Sequence, residues 1–167
     1  MGTQIRYFRS QKYTVEQEMS EEEALREGTY VRTVFDNNQP YRAEIFNRGE
    51  LKELIYYGRD PRDTDFVCML IKEQGPIPVT IYGSPAPTAQ GELQTLSGWN
   101  PLGELFHITT RLVDDRGEPL REEVFDASGA LLGIRTFEYR QRALTRIIFT
   151  RADGVEIVEL EDNCYLE

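Results

Sequence analysis

The stretch VFDASGALLGIRTFEY, residues 124–139, places an acid and a glycine three positions apart between two runs of strand-forming residues. Asp126 has the chemistry of a metal ligand, but a calcium loop needs several alternating oxygen ligands and a later glutamate. The residues that follow Gly129 are apolar instead. An Asp at the end of a strand can accept backbone hydrogen bonds, and Gly supplies the positive φ of a tight turn. The pattern therefore predicts a turn and no metal site.

Catalytic constellations are absent from the sequence pattern. His107 is the only histidine, and it lies in LFHITT between strand-forming residues. No G-x-S-x-G element presents a serine to it, and no G-K-[ST] ends a glycine-rich loop, so a triad and a phosphate-binding loop are not expected. Carboxylate pairs stay open, because a sequence does not report their separation. We expect no catalytic residue, no cofactor and no enzymatic activity.

Charge is concentrated in two segments. Residues 14–28 contain six Glu against Arg26, and residues 153–167 contain six acids and no base, within a chain of net charge −10. Acidic surfaces repel phosphate backbones and suit a basic protein partner, so nucleic acid is not expected as a ligand. Pairing of the first and last strands would join the segments into one patch. The predicted acidic binding residues are Glu21, Glu22, Glu23, Glu159, Glu161 and Asp162.

The stretch GSPAPTAQGELQTLSGWNPLG, residues 83–103, contains four Gly, three Pro and the only Trp. Loops of this length in compact domains are commonly binding loops. Trp99 and Asn100 are therefore predicted to contact a partner or ligand, since an exposed Trp is a frequent anchor at interfaces. In the alternative reading, Trp99 folds back and plugs one end of a sheet.

The elements that must position these residues are mostly strands. SEEEALREG predicts one short N-terminal helix, because Ser20 and Glu23 form a capping box and Gly28 ends it. From Thr29 onward, short β-forming segments separated by Asn, Asp, Gly and Pro predict an antiparallel meander of about ten strands, strongly curled or barrel-like. The chain is expected to be a single β-rich domain over residues 1–167. Cys68, in the apolar run FVCMLI, is expected to be a small core residue.

Two short stretches resemble known repeats. VFDASGALLGIR resembles the Tyr-Asp repeats of bacterial Rhs-type proteins, and FNRGELKELIYY resembles the variant MORN repeat, both of which are β-hairpin families. VFDNNQ, at residues 34–39, echoes VFDASG but has Gln39 where the repeat would have Gly. The opening RYFRS, followed by an acidic helix and a meander, is similar to small uncharacterised bacterial β-meander families. These resemblances imply hairpins and no catalytic residues.

Two functions follow as expectations. The first is a non-catalytic binding or accessory module, such as an immunity-type bacterial protein, that contacts a basic partner through its acidic segments or the 83–103 loop. The alternative is a β-barrel that binds a small apolar ligand between its walls. No stretch of about twenty apolar residues and no signal-peptide pattern is present, so a cytoplasmic protein without membrane contact is expected.

Overall fold

The computed structural model describes residues 3–11, 13, 15–141 and 143–161, which form mostly β structure with two α-helices. The chain divides into two compact units, and the single β-rich domain over residues 1–167 stays a prediction. The first unit comprises the residues up to Gly83 together with Gly98–Glu104, and the second comprises Ser84–Ser97 and the residues from Leu105 onward. Neither helix of the described chain is long and apolar enough to cross a membrane.

The first unit contains six strands and both helices. Its strands are β1 (Gln4–Phe8), β2 (Glu18–Met19), β3 (Tyr30–Asp36), β4 (Gln39–Asn47), β5 (Glu50–Tyr57) and β6 (Val79–Tyr82). Its helices are α1 (Glu21–Glu27) and α2 (Thr64–Gln74), and a short 3-10 turn spans Val15–Gln17. The strands are ordered β6-β5-β4-β3-β1-β2. A cluster of buried apolar side chains forms part of its core: Phe8, Val31, Phe35, Ala43 and Ile55.

The predicted N-terminal helix α1 is confirmed with its caps. The Ser20 hydroxyl accepts a hydrogen bond from the Glu23 amide at 3.2 Å, and the Ser20 amide donates to the Glu23 carboxylate at 2.9 Å. Gly28 ends the helix with a φ of 70°, which a residue with a Cβ adopts at a cost. The acidic first turn therefore has a structural role, because carboxylates are favourable at a helix N-terminus.

Helix α2 was not predicted, and it changes the topology. It connects β5 to β6, which pair in parallel, because a crossover helix reverses the chain between them. The Asp63 carboxylate caps its N-terminus by accepting from the Phe66 amide at 3.0 Å. Phe66, Val67 and Leu70 are buried, while Cys68 is exposed. The expectation that Cys68 is a core residue is therefore wrong, since the helical period turns its thiol to solvent.

The second unit is an antiparallel meander, as predicted, and its described residues contain no helix. Its strands are β7 (Ala86–Thr88), β8 (Gly91–Trp99), β9 (Leu105–Val113), β10 (Pro119–Asp126), β11 (Leu131–Arg140), β12 (Ala143–Arg151) and β13 (Glu156–Glu161). The last two residues of β8 belong to the first unit. The strands are ordered β8-β9-β10-β11-β12-β13, and β7 pairs with β8.

Three details of the predicted meander need correction. The described chain has thirteen strands rather than about ten, and it includes the one parallel pair. The strand order is open, so the barrel is not formed. β1 pairs with β2 and β3, and β13 pairs with β12, so no described pairing joins the first strands to the last. Strand pairing within the described residues therefore does not join the two acidic segments into one patch.

The turn predicted at residues 126–129 is confirmed. The Asp126 carboxylate accepts hydrogen bonds from the amides of Ser128 at 2.8 Å and Ala130 at 3.0 Å, and Gly129 has a φ of 90°. Asp114 builds the same turn with Gly117, and Asn100 builds it with Gly103. In contrast, the hairpin between β3 and β4 turns through Asn37 and Asn38, both with positive φ. This explains why VFDNNQ needs no glycine.

The 83–103 segment is not an irregular loop. It contains β7 and β8, and only a short turn follows them. Gly91, which starts β8, has a φ of 137°, and a Cβ there would lie 2.0 Å from the Val113 carbonyl oxygen. Gly91 therefore permits close backbone approach within a sheet, whereas the number of glycines in this segment was interpreted as a sign of a loop.

We expect Gly129→Val to lower the free energy of unfolding of the chain by about 1–2 kcal/mol, because a β-branched residue is strained at positive φ. Gly129→Asn is the matched control, since Asn tolerates this conformation better. The midpoint of urea denaturation measures both. Equal midpoints for the Val and Asn variants would contradict the turn geometry.

Candidate protein-binding surface

A row of charged side chains crosses the second unit. Glu122 of β10 lies opposite Arg111 of β9 and opposite Arg135 of β11, so the three side chains share one face of the sheet. We call the face of the sheet that carries Arg111, Glu122 and Arg135 the arginine face. The Glu122 side chain is 3 % exposed, and its two carboxylate oxygens accept from Arg111 Nε and from an Arg135 amino group, each at 2.5 Å. A buried carboxylate is stable only when it is paired in this way.

Arg135 also reaches the last strand. Its Nε and second amino group donate to the two carboxylate oxygens of Glu159 at 2.6 and 3.0 Å. To do so the guanidinium crosses β12 above the Phe149 ring, with 5.5 Å between them. The hydrogen bonds from Arg135 hold the pKa of Glu159 below its ordinary value, and the same bonds raise the pKa of Arg135. One arginine thus ties β10 and β13 to β11.

Gly133 makes room for the ring under this arginine. A Cβ at Gly133 would lie 2.6 Å from Phe149 Cζ and 2.5 Å from the Thr150 carbonyl oxygen. An aromatic ring that covers a cross-strand glycine is a recognised way to pin strand register. The position of Phe149, and with it the path of Arg135, therefore depends on the absence of a Cβ at Gly133.

Burial decreases from the middle of the second unit towards its last strand. Ile108, Thr109, Val113 and Glu122 are buried, β12 is half-buried along most of its length, and Glu156–Leu160 are all exposed. Ile157, Val158 and Leu160 are 45 %, 44 % and 41 % exposed. Exposed apolar side chains in such a group commonly mark an interaction site.

Register places these side chains on both faces. Ile157 lies opposite Phe149 and Leu160 opposite Ile147, on the arginine face, whereas Val158 lies opposite Ile148 on the other face. The side chains of Glu156–Leu160 are exposed, so no described residue buries this part of β13 on either face. We call Glu156, Ile157, Val158 and Leu160 the outer-strand surface.

A shallow groove lies on the face opposite the arginine face. Its volume is about 330 Å³, near the lower end of the range for ligand pockets. Its polar groups include Arg121 and Glu123, which pair with each other at 2.8 Å. The lining side chains are Leu93, Thr110, Leu112, Arg121, Glu123 and Phe125. The groove is a candidate for the apolar ligand site that the barrel alternative requires.

The predicted acidic residues of α1 have different surroundings. Glu21 accepts a hydrogen bond from the Tyr7 hydroxyl at 2.6 Å, and Glu23 closes the capping box. Glu22 is exposed and makes no hydrogen bond or ion pair with the described residues. Two of the three carboxylates are thus engaged in holding the helix and β1.

The predicted acidic residues at the end of the chain are divided between the described and undescribed parts. Glu159 is engaged by Arg135. The backbone of Glu161 pairs with Arg146 in β13, and nothing further is described for its side chain. Asp162 lies outside the described residues. A further exposed acid of β13 is Glu156, which the sequence did not single out and which forms no ion pair with a described residue.

Trp99 and Asn100 lie in the first unit. Trp99 is 4 % exposed, which agrees with the reading in which its ring fills one end of a sheet. Asn100 accepts hydrogen bonds from the amides of Leu102 at 2.9 Å and Glu104 at 3.0 Å. The asparagine therefore shapes a turn, and the spacing N-x-x-G, shared with D-x-x-G at 126–129, was the signal for it.

His107 lies on the arginine face, opposite Asp126. Burial and the nearby Arg135 charge lower the pKa of its imidazole. Phe106 contacts its ring edge-on at 5.4 Å, and no described residue forms a hydrogen bond with it. The geometry supplies no orienting carboxylate of the kind that a catalytic histidine needs.

We expect Arg135→Met to lower the free energy of unfolding by about 1.5–3 kcal/mol, because it removes charged hydrogen bonds from the buried Glu122. Arg121→Met is the matched control, since its ion pair with Glu123 is exposed and contributes about 0.2–1 kcal/mol. Chemical denaturation of both variants measures the difference. Similar losses would show that the row of charges does not stabilise the sheet.

Glu159→Gln tests the link to β13 through pH. The folded pKa of Glu159 lies below its ordinary value of 4.5, so the pair stabilises the fold above that value and loses its effect as the pH falls. The stability difference between wild type and Glu159→Gln should therefore shrink from pH 7 to pH 3, from at most about 1 kcal/mol. Glu156→Gln removes an acid that has no ion pair with a described residue, and it is the control with which this change is compared. A difference independent of pH would contradict the ion pair.

Comparison with known proteins finds no matching family model, no similar curated protein and no similar solved structure. The resemblance to Tyr-Asp and variant MORN repeats stays a prediction. The functional argument therefore depends on the geometry of the second unit, and above all on the outer-strand surface and the charged row that anchors it.

Proposed function

We propose that this chain is a non-catalytic protein-binding module that engages its partner through the outer-strand surface of the second unit. The observation that carries the proposal is the exposure of Glu156–Leu160 in β13, with apolar side chains on both faces of the strand. Water solvates such side chains at a free-energy cost that burial against another protein removes. An accessory role, including an immunity-type role, is compatible with this mode of action.

The anchoring of β13 supports binding. An exposed strand held only by its neighbour would fray, whereas the bidentate contact between Arg135 and Glu159 fixes β13 before a partner arrives. A preorganised surface loses less conformational entropy on association than a mobile one. The charged row thus holds the outer strand in place for contact with a partner, which is a structural role and not a catalytic one.

A small apolar ligand is the second candidate, because the groove lined by Leu112 and Phe125 has room for one. The groove is open and its two charges neutralise each other, so it offers little beyond apolar contact. The outer-strand surface has three large apolar side chains that are each more than 40 % exposed, and it is the better-supported site.

Site-specific photo-crosslinking in the source cells tests the proposal. A photoreactive amino acid at Ile157 or Val158 should give one protein adduct of defined mass, whereas the same group at Leu25, which is 64 % exposed on α1, should not. The adduct is identified by mass spectrometry, and the purified partner is titrated against the wild-type chain. We expect Ile157→Ser with Val158→Ser to weaken binding at least about tenfold, and Leu25→Ser to leave it unchanged.

Two outcomes would contradict the proposal. One is crosslinking at Leu25 as strong as that at Ile157. The other is native mass spectrometry that shows a bound small molecule, displaced by Leu112→Trp, and no protein adduct at the outer strand.

A further inference from the structure

The outer edge of β13 has no partner strand among the described residues. Within the described residues, β13 pairs with β12 and with no other strand, and the strand order of the second unit ends there. Alternate backbone amides and carbonyls of such a strand point away from the sheet without a partner. An edge of this kind is a template for a further strand.

The usual protections of an edge are few here. Glu156–Glu161, EIVELE, contains neither Pro nor Lys. A bulge interrupts the pairing between Ile147 and Ile148 of β12, but the register before it is regular, with Thr150 opposite Glu156, Phe149 opposite Ile157 and Ile148 opposite Val158. Residues 156–158 thus present an undistorted edge that another strand can extend.

Charge selects the kind of strand. Residues 152–161, ADGVEIVELE, contain four acids and no base. Arg151 pairs with Asp153 at 2.9 Å and Arg135 pairs with Glu159, which leaves Glu156 exposed without an ion pair among the described residues. A second copy of β13 would bring like charges together across the edge, which is destabilising. A strand that carries Lys or Arg complements Glu156 instead.

We propose that the partner binds by strand addition at β13, and that it contributes a basic, extended segment in which Lys or Arg alternates with apolar residues. This inference rests on the proposed function and specifies its mode. Residues directly opposite each other share a face, so an apolar side chain of the partner lies beside Ile157 on the arginine face. Its basic side chains lie beside Glu156 on the other face, where their aliphatic stems cover Val158.

The test uses a defined probe, a capped hexapeptide of alternating Lys and Val. Bound to the full chain, it should protect backbone amides within residues 156–158 from hydrogen exchange. Its affinity should fall about tenfold between 50 and 500 mM salt, because exposed charges are screened over shorter distances. Glu156→Gln should weaken binding about two- to fivefold, and Glu22→Gln, which removes an exposed acid of the first unit, should not change it.

Two control peptides separate the contributions. A peptide with Glu in place of Lys should bind more weakly, and a peptide N-methylated at the amides that face β13 should not bind, because strand addition needs those donors. Equal binding of the N-methylated peptide, or protection confined to other strands, would overturn strand addition. Self-association of the chain with protection of residues 156–158 would overturn the basic partner in favour of a second copy.

The result also separates this inference from the proposed function. Crosslinks at Ile157 and Val158 to a protein that leaves residues 156–158 unprotected would preserve the binding module and overturn strand addition. Protection by the Lys-Val peptide without any outer-strand crosslink in cells would support the edge chemistry and overturn the proposed cellular role.

Discussion

The carboxylate of Glu122 lies inside the second unit, where an unpaired charge would be strongly destabilising. Its two oxygens are bound by two arginines from the two flanking strands, so three strands must hold one register for the charge to be satisfied. Arg135 then extends the constraint across β12 to Glu159 of the last strand. The described residues of this unit include no helix to cover the sheet. The row of charges therefore contributes to holding the strands together, as an apolar second layer does in other folds.

The first unit contains a related but less extensive arrangement. Its buried Glu44 accepts from Arg32 and Arg42, each at 2.8 Å. There, however, apolar side chains such as Phe8 and Ile55 form a buried cluster, and α2 buries its own apolar stripe. The first unit therefore has a core of ordinary composition. The second unit combines internal charge with external apolar side chains, which is the combination expected of a domain completed by another molecule.

The combination of internal charge and exposed apolar side chains in the second unit supports the proposed function. A strand that is both exposed and firmly anchored can offer backbone groups, apolar side chains and one unpaired acid to a partner without first becoming ordered. The same properties would promote indiscriminate pairing between copies, and the acidic residues at the edge oppose it. In the proposed binding mode, charge therefore acts twice in this unit: inside the sheet it fixes the register, and at the edge it selects the partner strand.

Caps, turns and the strand pattern could be predicted from the sequence, because each depends on residues that are close in the chain. The capping box at Ser20 and Glu23, the turn at Asp126 and Gly129 and the antiparallel meander each follow from residues a few positions apart. Helix α2 was missed because its apolar run also suits a buried strand, although Asp63 and the following Phe66 carried a capping signal. For Trp99 the sequence left both an exposed and a buried ring open, because residues distant in the chain decide whether a ring is buried.

The candidate site was decided by tertiary structure, for a specific reason. Counted from its turns, Glu122 would lie opposite Ile134 and Thr110, but a register shift in each hairpin, after Pro119 and at Val124, places it opposite Arg135 and Arg111. A shift of one residue moves a side chain to the other face of a sheet. The sequence by itself determined where the chain turns and which residues are acidic. Only the folded sheet decided which charges meet, and that Glu156–Leu160 of its last described strand are exposed.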